Sequence, residues 1–203
     1  MQLLSEYGPF FAVSLHTDPP AAPWQPLAEL ADAAELAEWI GRVQASLGSS
    51  RRVAASIGQL GLAARLLSPV MAAAVRHGVL LDLGTGYWRP PLSSTVALSL
   101  SRPSRPAEPA ALSRAVTDAP VAGLTAAIGR LGSVSGRVLA GNLASAVNGA
   151  ALQLGPACYP VAAGLLAGIP SEPDRPGPGF RRRSCCLRYR LAGAGYCDDC
   201  VLR

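Results

Sequence analysis

Four of the five cysteines in this 203-residue chain stand in its last stretch, FRRRSCCLRYRLAGAGYCDDCVLR, at Cys185, Cys186, Cys197 and Cys200. The spacing is C-C-x10-C-x2-C, and Cys-x-x-Cys is the shortest common spacing that lets two thiolates grip one metal ion from a single turn. Four thiolates suit a tetrahedral zinc, or the two irons of a [2Fe-2S] cluster at two sulfurs each. The adjacent pair is less decisive, because neighbouring side chains in extended backbone point apart and converge only across a bend. Zinc ribbons usually join one Cys-x-x-Cys to a second, so the pattern is a poor match to them. Spacing alone leaves open which cysteines would share an iron.

The same residues carry a family resemblance. RRRSCCLRYRLAGAGYCDDCVL resembles the C-terminal signature of the FhuF-type ferric-siderophore reductases, including CCLRYR, the glycine-bearing stretch before Cys197 and the trailing Val201-Leu202. RLLSPVMAAAVRHGV from Arg65 and AGNLASAVNGAAL from Ala140 are also similar to that family. The resemblance implies that Cys185, Cys186, Cys197 and Cys200 hold a [2Fe-2S] cluster and serve catalysis through it. The implied enzyme is an oxidoreductase that gives one electron to iron(III) in a siderophore complex, so that iron(II) is released in the cytoplasm. Siderophore oxygens are hard ligands that hold iron(II) far more weakly than iron(III), so reduction by itself frees the metal.

Charge is concentrated at the same end. The net charge is +5, all 18 basic residues are arginine, and residues 180–203 hold six arginines against two aspartates, leaving little for the rest. Arg181, Arg182, Arg183, Arg188 and Arg190 could raise a cluster's potential or donate to its sulfurs, and Arg183, Arg188 and Arg190 are candidate contacts to an anionic chelate. The plain alternative is a solvated arginine run. A basic end also suits an acidic electron donor, for which a ferredoxin is a candidate, since no dinucleotide or flavin fingerprint is visible. Basic residues interleaved with aromatics along a face are absent from the body, which argues against nucleic acid.

The elements that must position this end read as an α+β fold: a mostly helical body with a small antiparallel sheet, then a short C-terminal cysteine-rich metal-binding module. Residues 10–15 alternate as a strand, and residues 79–83 and 95–100 read as an antiparallel pair with a long connection that holds a turn at Gly84-Thr85-Gly86 and then Arg89-Pro90-Pro91. A helix is expected from Leu27 to Gly48. The next begins after Ser49 or Ser50 and is interrupted at Pro69, where Ser68 would cap a restart running to His77. Arg65 and Arg76 fall off its apolar stripe and read as surface charges. Residues 102–109 are a proline-rich break, and helices follow over residues 110–116, 120–131 and 136–154.

In the last helix Asn142, Ser145 and Asn148 form an uncharged polar row, which either lines a pocket or packs through small side chains. With His77 it is the candidate body wall of a cleft for the ferric chelate. Cys158, alone between two prolines, reads as a small buried hydrophobe. Residues 1–169 are thus expected as the body, 170–179, rich in proline and glycine, as a linker, and 180–203 as the module.

No secretory pattern is seen in residues 1–18, which predicts a reducing cytoplasm where metal binding outranks disulfides. The uncharged run 138–171 is broken by Asn142, Asn148, Gln153, Pro156 and Pro160, so no membrane span is expected, and peripheral membrane contact stays open. The alternative from a different class is a siderophore-handling binding protein in which the four cysteines hold a structural zinc.

Overall fold

The computed structural model describes residues 4–32, 34–93, 95–103, 106–118 and 120–203. Ala33, inside the helix expected from Leu27, and Ser104 and Arg105, inside the proline-rich break, lie outside them. The chain from Leu27 opens as a 3-10 turn, Leu27–Asp32, that buries Leu27 and Leu30, and becomes α-helical only in α1 (Ala34–Leu47). Ser50 then accepts the Val53 amide at 3.4 Å and starts α2 (Arg51–His77), which Gly78 ends with a φ of 66°.

Contrary to expectation, α2 runs unbroken through Pro69. Ser68 caps nothing there: its hydroxyl donates to the Ala64 carbonyl at 2.6 Å. An interior proline costs about 3 kcal/mol. Burial outweighs it, because α2 is buried along most of its length against α1, α4 (Val121–Gly132) and, most extensively, α5 (Gly136–Leu154). By length and composition α2 could cross a membrane, yet it is mostly buried inside the protein, as a core helix is.

The sheet has four short strands in the order β1 (Ser14–His16), β4 (Ala97–Ser101), β3 (Tyr87–Arg89), β2 (Gln25–Pro26). The fold class is as expected, with one difference in the sheet, which is mixed. β3 is antiparallel to both neighbours, but β1 lies parallel to β4, with Ser14 opposite Ser99 and His16 opposite Ser101. A parallel pair needs a long crossover, and α1 and α2 supply it. The strand expected at residues 79–83 is absent, apart from a single bridge from Val79 to Pro106. Leu81 and Leu83 are buried as extended loop, so their alternation reports burial without pairing. The Gly84 amide donates to Asp82 Oδ1 at 2.8 Å, and this turn delivers Tyr87 to the strand that does pair.

Arg65 overturns its reading as a surface charge. It is 2% exposed, and its guanidinium donates to the carbonyls of Val96 (2.9 Å), Phe10 (3.1 Å) and Ala12 (2.6 Å). Burial lowers its pKa to about 10, so it stays a cation at neutral pH while tying α2 to the strand ends. Arg76 is exposed but lies over the Tyr7 ring and donates to the Leu154 carbonyl. The remaining helices, α3 (Pro109–Thr117) and α6 (Tyr159–Leu166), pack on each other, and α6 also packs on α5. Cys158 is fully buried at the start of α6, and its thiol is pushed up to about 11 by desolvation.

Candidate metal centre

The backbone of residues 180–203 has almost no regular structure, so its shape comes from turns. Leu187, directly after the adjacent cysteines, adopts a left-handed φ of 69°, and a 3-10 turn follows at Arg188–Arg190. Gly193 and Gly195 also sit at positive φ, and the Cys200 amide closes a turn on the Cys197 carbonyl at 3.2 Å. These bends bring the adjacent pair and the Cys-x-x-Cys pair face to face.

All four thiols are free, and one pair of them meets directly. Cys186 and Cys197 have their sulfurs 3.6 Å apart, and the Cys185 thiol lies close enough to Cys186 and Cys200 to feel their charge. Among the described residues, no group of three or more His, Cys, Asp or Glu side chains is placed to hold a single metal ion. Backbone amides of Leu187 and Leu202 point at the sulfurs of Cys185 and Cys200, each at 3.4 Å. Without metal, desolvation raises the Cys185 and Cys197 thiols above their ordinary range, so loading must displace protons.

Behind the thiols lies Arg182, 1% exposed. Its Nη2 donates to Cys197 Sγ at 2.8 Å and to Asp199 Oδ1 at 3.1 Å, and its Nη1 donates to Asn142 Oδ1 at 3.0 Å. Asn142 in turn donates to the Ser56 carbonyl at 2.9 Å and hydroxyl at 3.1 Å, and the Ser56 hydroxyl donates to the Cys186 carbonyl at 2.9 Å. The Ser145 hydroxyl donates to Asp199 Oδ2. Two buried donors flanking the cysteines, Arg182 Nε and Ser184 Oγ, find no partner within the protein. A donor set of four thiols, with buried N–H and O–H groups left over, fits a cofactor rich in sulfur acceptors.

The polar row of α5 is therefore the surface on which the cysteine segment is seated. Asn148 Oδ1 accepts the Gly177 amide at 2.7 Å, which pins the stretch 170–179 to α5, and Glu172 accepts the Arg183 amide at 2.8 Å, which ties it to the cysteine segment. Asn142 is fully buried and fully engaged, which removes it as a contact for a chelate. His77 is exposed at the far end of α2, roughly 30 Å along the helix from Ser56 at 1.5 Å per residue, and does not join the site. A cavity of about 380 Å³ lined by Asp82, Thr85, Arg102 and Arg114 lies at that same remote end.

Arg183, Arg188 and Arg190 are exposed around the cysteines. Arg190 leans on the Tyr189 ring and hydrogen-bonds its hydroxyl, while Arg188 donates to the Tyr196 carbonyl at 3.2 Å. With Tyr189, Tyr196, Val201 and Leu202 they form an outer face that is both cationic and apolar. Sequence reasoning grouped Arg182 with its neighbours and missed Asp199, Ser56 and Gly141. A small residue on the polar face of α5 was the only available signal for the last.

Gly141 permits the close approach. A Cβ there would lie 2.0 Å from Ser184 Oγ and 3.2 Å from Glu172 Oε1. Gly141→Ala is expected to lift residues 182–184 off α5 and destabilise the protein by about 1–3 kcal/mol, as overpacking does. Urea unfolding should show this lower midpoint, and Ser184→Gly in the same chain should restore it. An unchanged midpoint in the single variant would mean that the segment is not seated tightly here.

No curated protein matches the chain. The family model of the FhuF 2Fe-2S C-terminal domain matches residues 182–202, from the buried arginine past the fourth cysteine, so this end of the chain is similar to a [2Fe-2S] domain of the FhuF type.

Proposed function

We propose that Cys185, Cys186, Cys197 and Cys200 hold the [2Fe-2S] cluster and that the protein is a cytoplasmic ferric-siderophore reductase. It gives one electron to chelated iron(III), and the iron(II) formed leaves its hard oxygen ligands. The observation that carries this reading is the gathering of four free thiols, two of them 3.6 Å apart, beside a buried guanidinium within the matched domain. When bound, the cluster supplies a one-electron couple. The chain's own part is to hold and shield it. Leu187 and Leu202 amides stabilise two thiolates, Arg182 stabilises a third, and the burial of Cys186 and Cys200 keeps water from the inner side. In this reading residues 180–203 are the redox module, 170–179 its connection, and 1–169 the body that positions it.

The face formed by Arg183, Arg188, Arg190, Tyr189 and Tyr196 is where an anionic chelate or an acidic protein donor would approach. The test is anaerobic purification. A brown protein with equal iron and acid-labile sulfide is expected, and after dithionite reduction it should be reoxidised by ferric chelates, more slowly for anionic chelates as ionic strength rises. A colourless chain holding one zinc would sink the proposal and leave a structural metal site in its place.

A further inference from the structure

Two sulfurs on one tetrahedral metal ion are separated by the tetrahedral edge, roughly 3.7 Å for a metal–sulfur bond near 2.3 Å. Cys186 and Cys197 already stand at 3.6 Å. They are also the two cysteines gripped by one continuous hydrogen-bond chain, which runs from Cys197 Sγ through Arg182, Asn142 and Ser56 to the Cys186 carbonyl. Among the described residues no such chain holds the other two: the Cys185 and Cys200 sulfurs accept the long amide contacts of Leu187 and Leu202.

We infer that Cys186 and Cys197 share one iron and Cys185 and Cys200 the other, and that the Arg182 guanidinium makes the Cys186–Cys197 iron the one that is reduced. This deepens the reading that the four thiols hold a [2Fe-2S] cluster, and rests on it. Neither pair that is close in sequence is a pair on one iron.

The electrostatics differ between the two irons. A hydrogen bond from a charged donor is about twice as strong as a neutral one, and burial leaves its field unscreened by water. Arg182 presents such a bond to Cys197 from a side chain with no exposed surface. Arg190, whose charge also reaches Cys185, is fully exposed and engaged with Tyr189. One electron from an external one-electron donor converts one iron(III) to iron(II), with no bond made or broken and no proton moved. That added negative charge is best stabilised beside the buried cation. Asp199, on the same Nη2 at 3.1 Å, offsets part of the Arg182 charge and so sets its strength.

The test uses the full, cluster-loaded chain in an anaerobic redox titration. Arg182→Gln should lower the equilibrium constant for reduction about tenfold, which is 59 mV for a one-electron couple. Asp199→Asn should shift the potential in the opposite direction, and Arg182→Lys should recover part of the loss. A merely structural role for the pair would not move the potential in opposite senses. The pairing is read separately, by placing selenocysteine singly at each of the four positions and measuring selenium hyperfine coupling in the reduced protein. Positions 186 and 197 should share the coupling class of the iron(II) site, and positions 185 and 200 that of the iron(III) site. A shared class for 185 and 186, or loaded Arg182→Gln and Asp199→Asn proteins both at the wild-type potential, would overturn the inference. A chain that loads no iron and sulfide would overturn the underlying proposal as well.

Discussion

A Cys197→Ser protein purified without oxygen is expected to lose most of its visible absorption and to carry little iron or acid-labile sulfide. Cys197 is the sulfur met by both Cys186 and the Arg182 guanidinium, so its removal takes away a ligand and leaves a buried cation without one of its acceptors. Loss of a partner that only orients a ligand typically costs 10–100-fold in metal affinity, and loss of the ligand itself should cost at least about 100-fold. The helical body should keep its far-ultraviolet circular dichroism, because none of its core helices draws on the cysteine side chains. Cys158→Ser is the internal control, fully buried at the start of α6 and away from the four thiols, and should keep the spectrum intact. A fully loaded Cys197→Ser protein, or a bleached Cys158→Ser protein, would show that a ligand has been misassigned.

Arg65→Met should cost the body about 4 kcal/mol, a large part of the stability of an ordinary domain. Methionine fills much of the same space but leaves the carbonyls of Phe10, Ala12 and Val96 without their donors. Each buried unpaired carbonyl costs about 1–3 kcal/mol, and the three are too close together to add in full. Arg65→Lys should recover only part, since one ammonium cannot reach three carbonyls in the directions a guanidinium fork covers. Urea unfolding followed by circular dichroism measures both. A loss below about 1 kcal/mol for Arg65→Met would mean that water replaces the guanidinium and that the strand ends do not depend on it.

Elements set by neighbours along the chain were legible. The limits of α5 at Gly136 and Leu154, the serine cap at Ser50, the Gly78 stop and the turn at Gly84 follow from residues a few positions apart. Pro69 and the stretch 79–83 were misread for one reason. Helix interruption and strand alternation are local tendencies of about 3 kcal/mol or less, and packing against residues far away in sequence overrode them. The mixed sheet was hidden in the same way, because the direction of β1 relative to β4 depends on the path of the two helices between them.

The candidate site divides along the same line. Four cysteines at C-C-x10-C-x2-C were enough to point to a metal site, because chelate spacing is a property of the chain itself, and the resemblance carried by the residues around them pointed to a [2Fe-2S] domain. Which sulfurs face each other was decided by the bends at Leu187, Gly193 and Gly195. Six arginines near the cysteines look alike in sequence, and only the docking of residues 180–203 on α2 and α5 desolvates Arg182 while leaving Arg183, Arg188 and Arg190 in water. A guanidinium's influence on a neighbouring charge depends on the water around it. That water is excluded by Asn142, Ser56 and Gly141, residues 40 or more positions away that no local pattern connects to it.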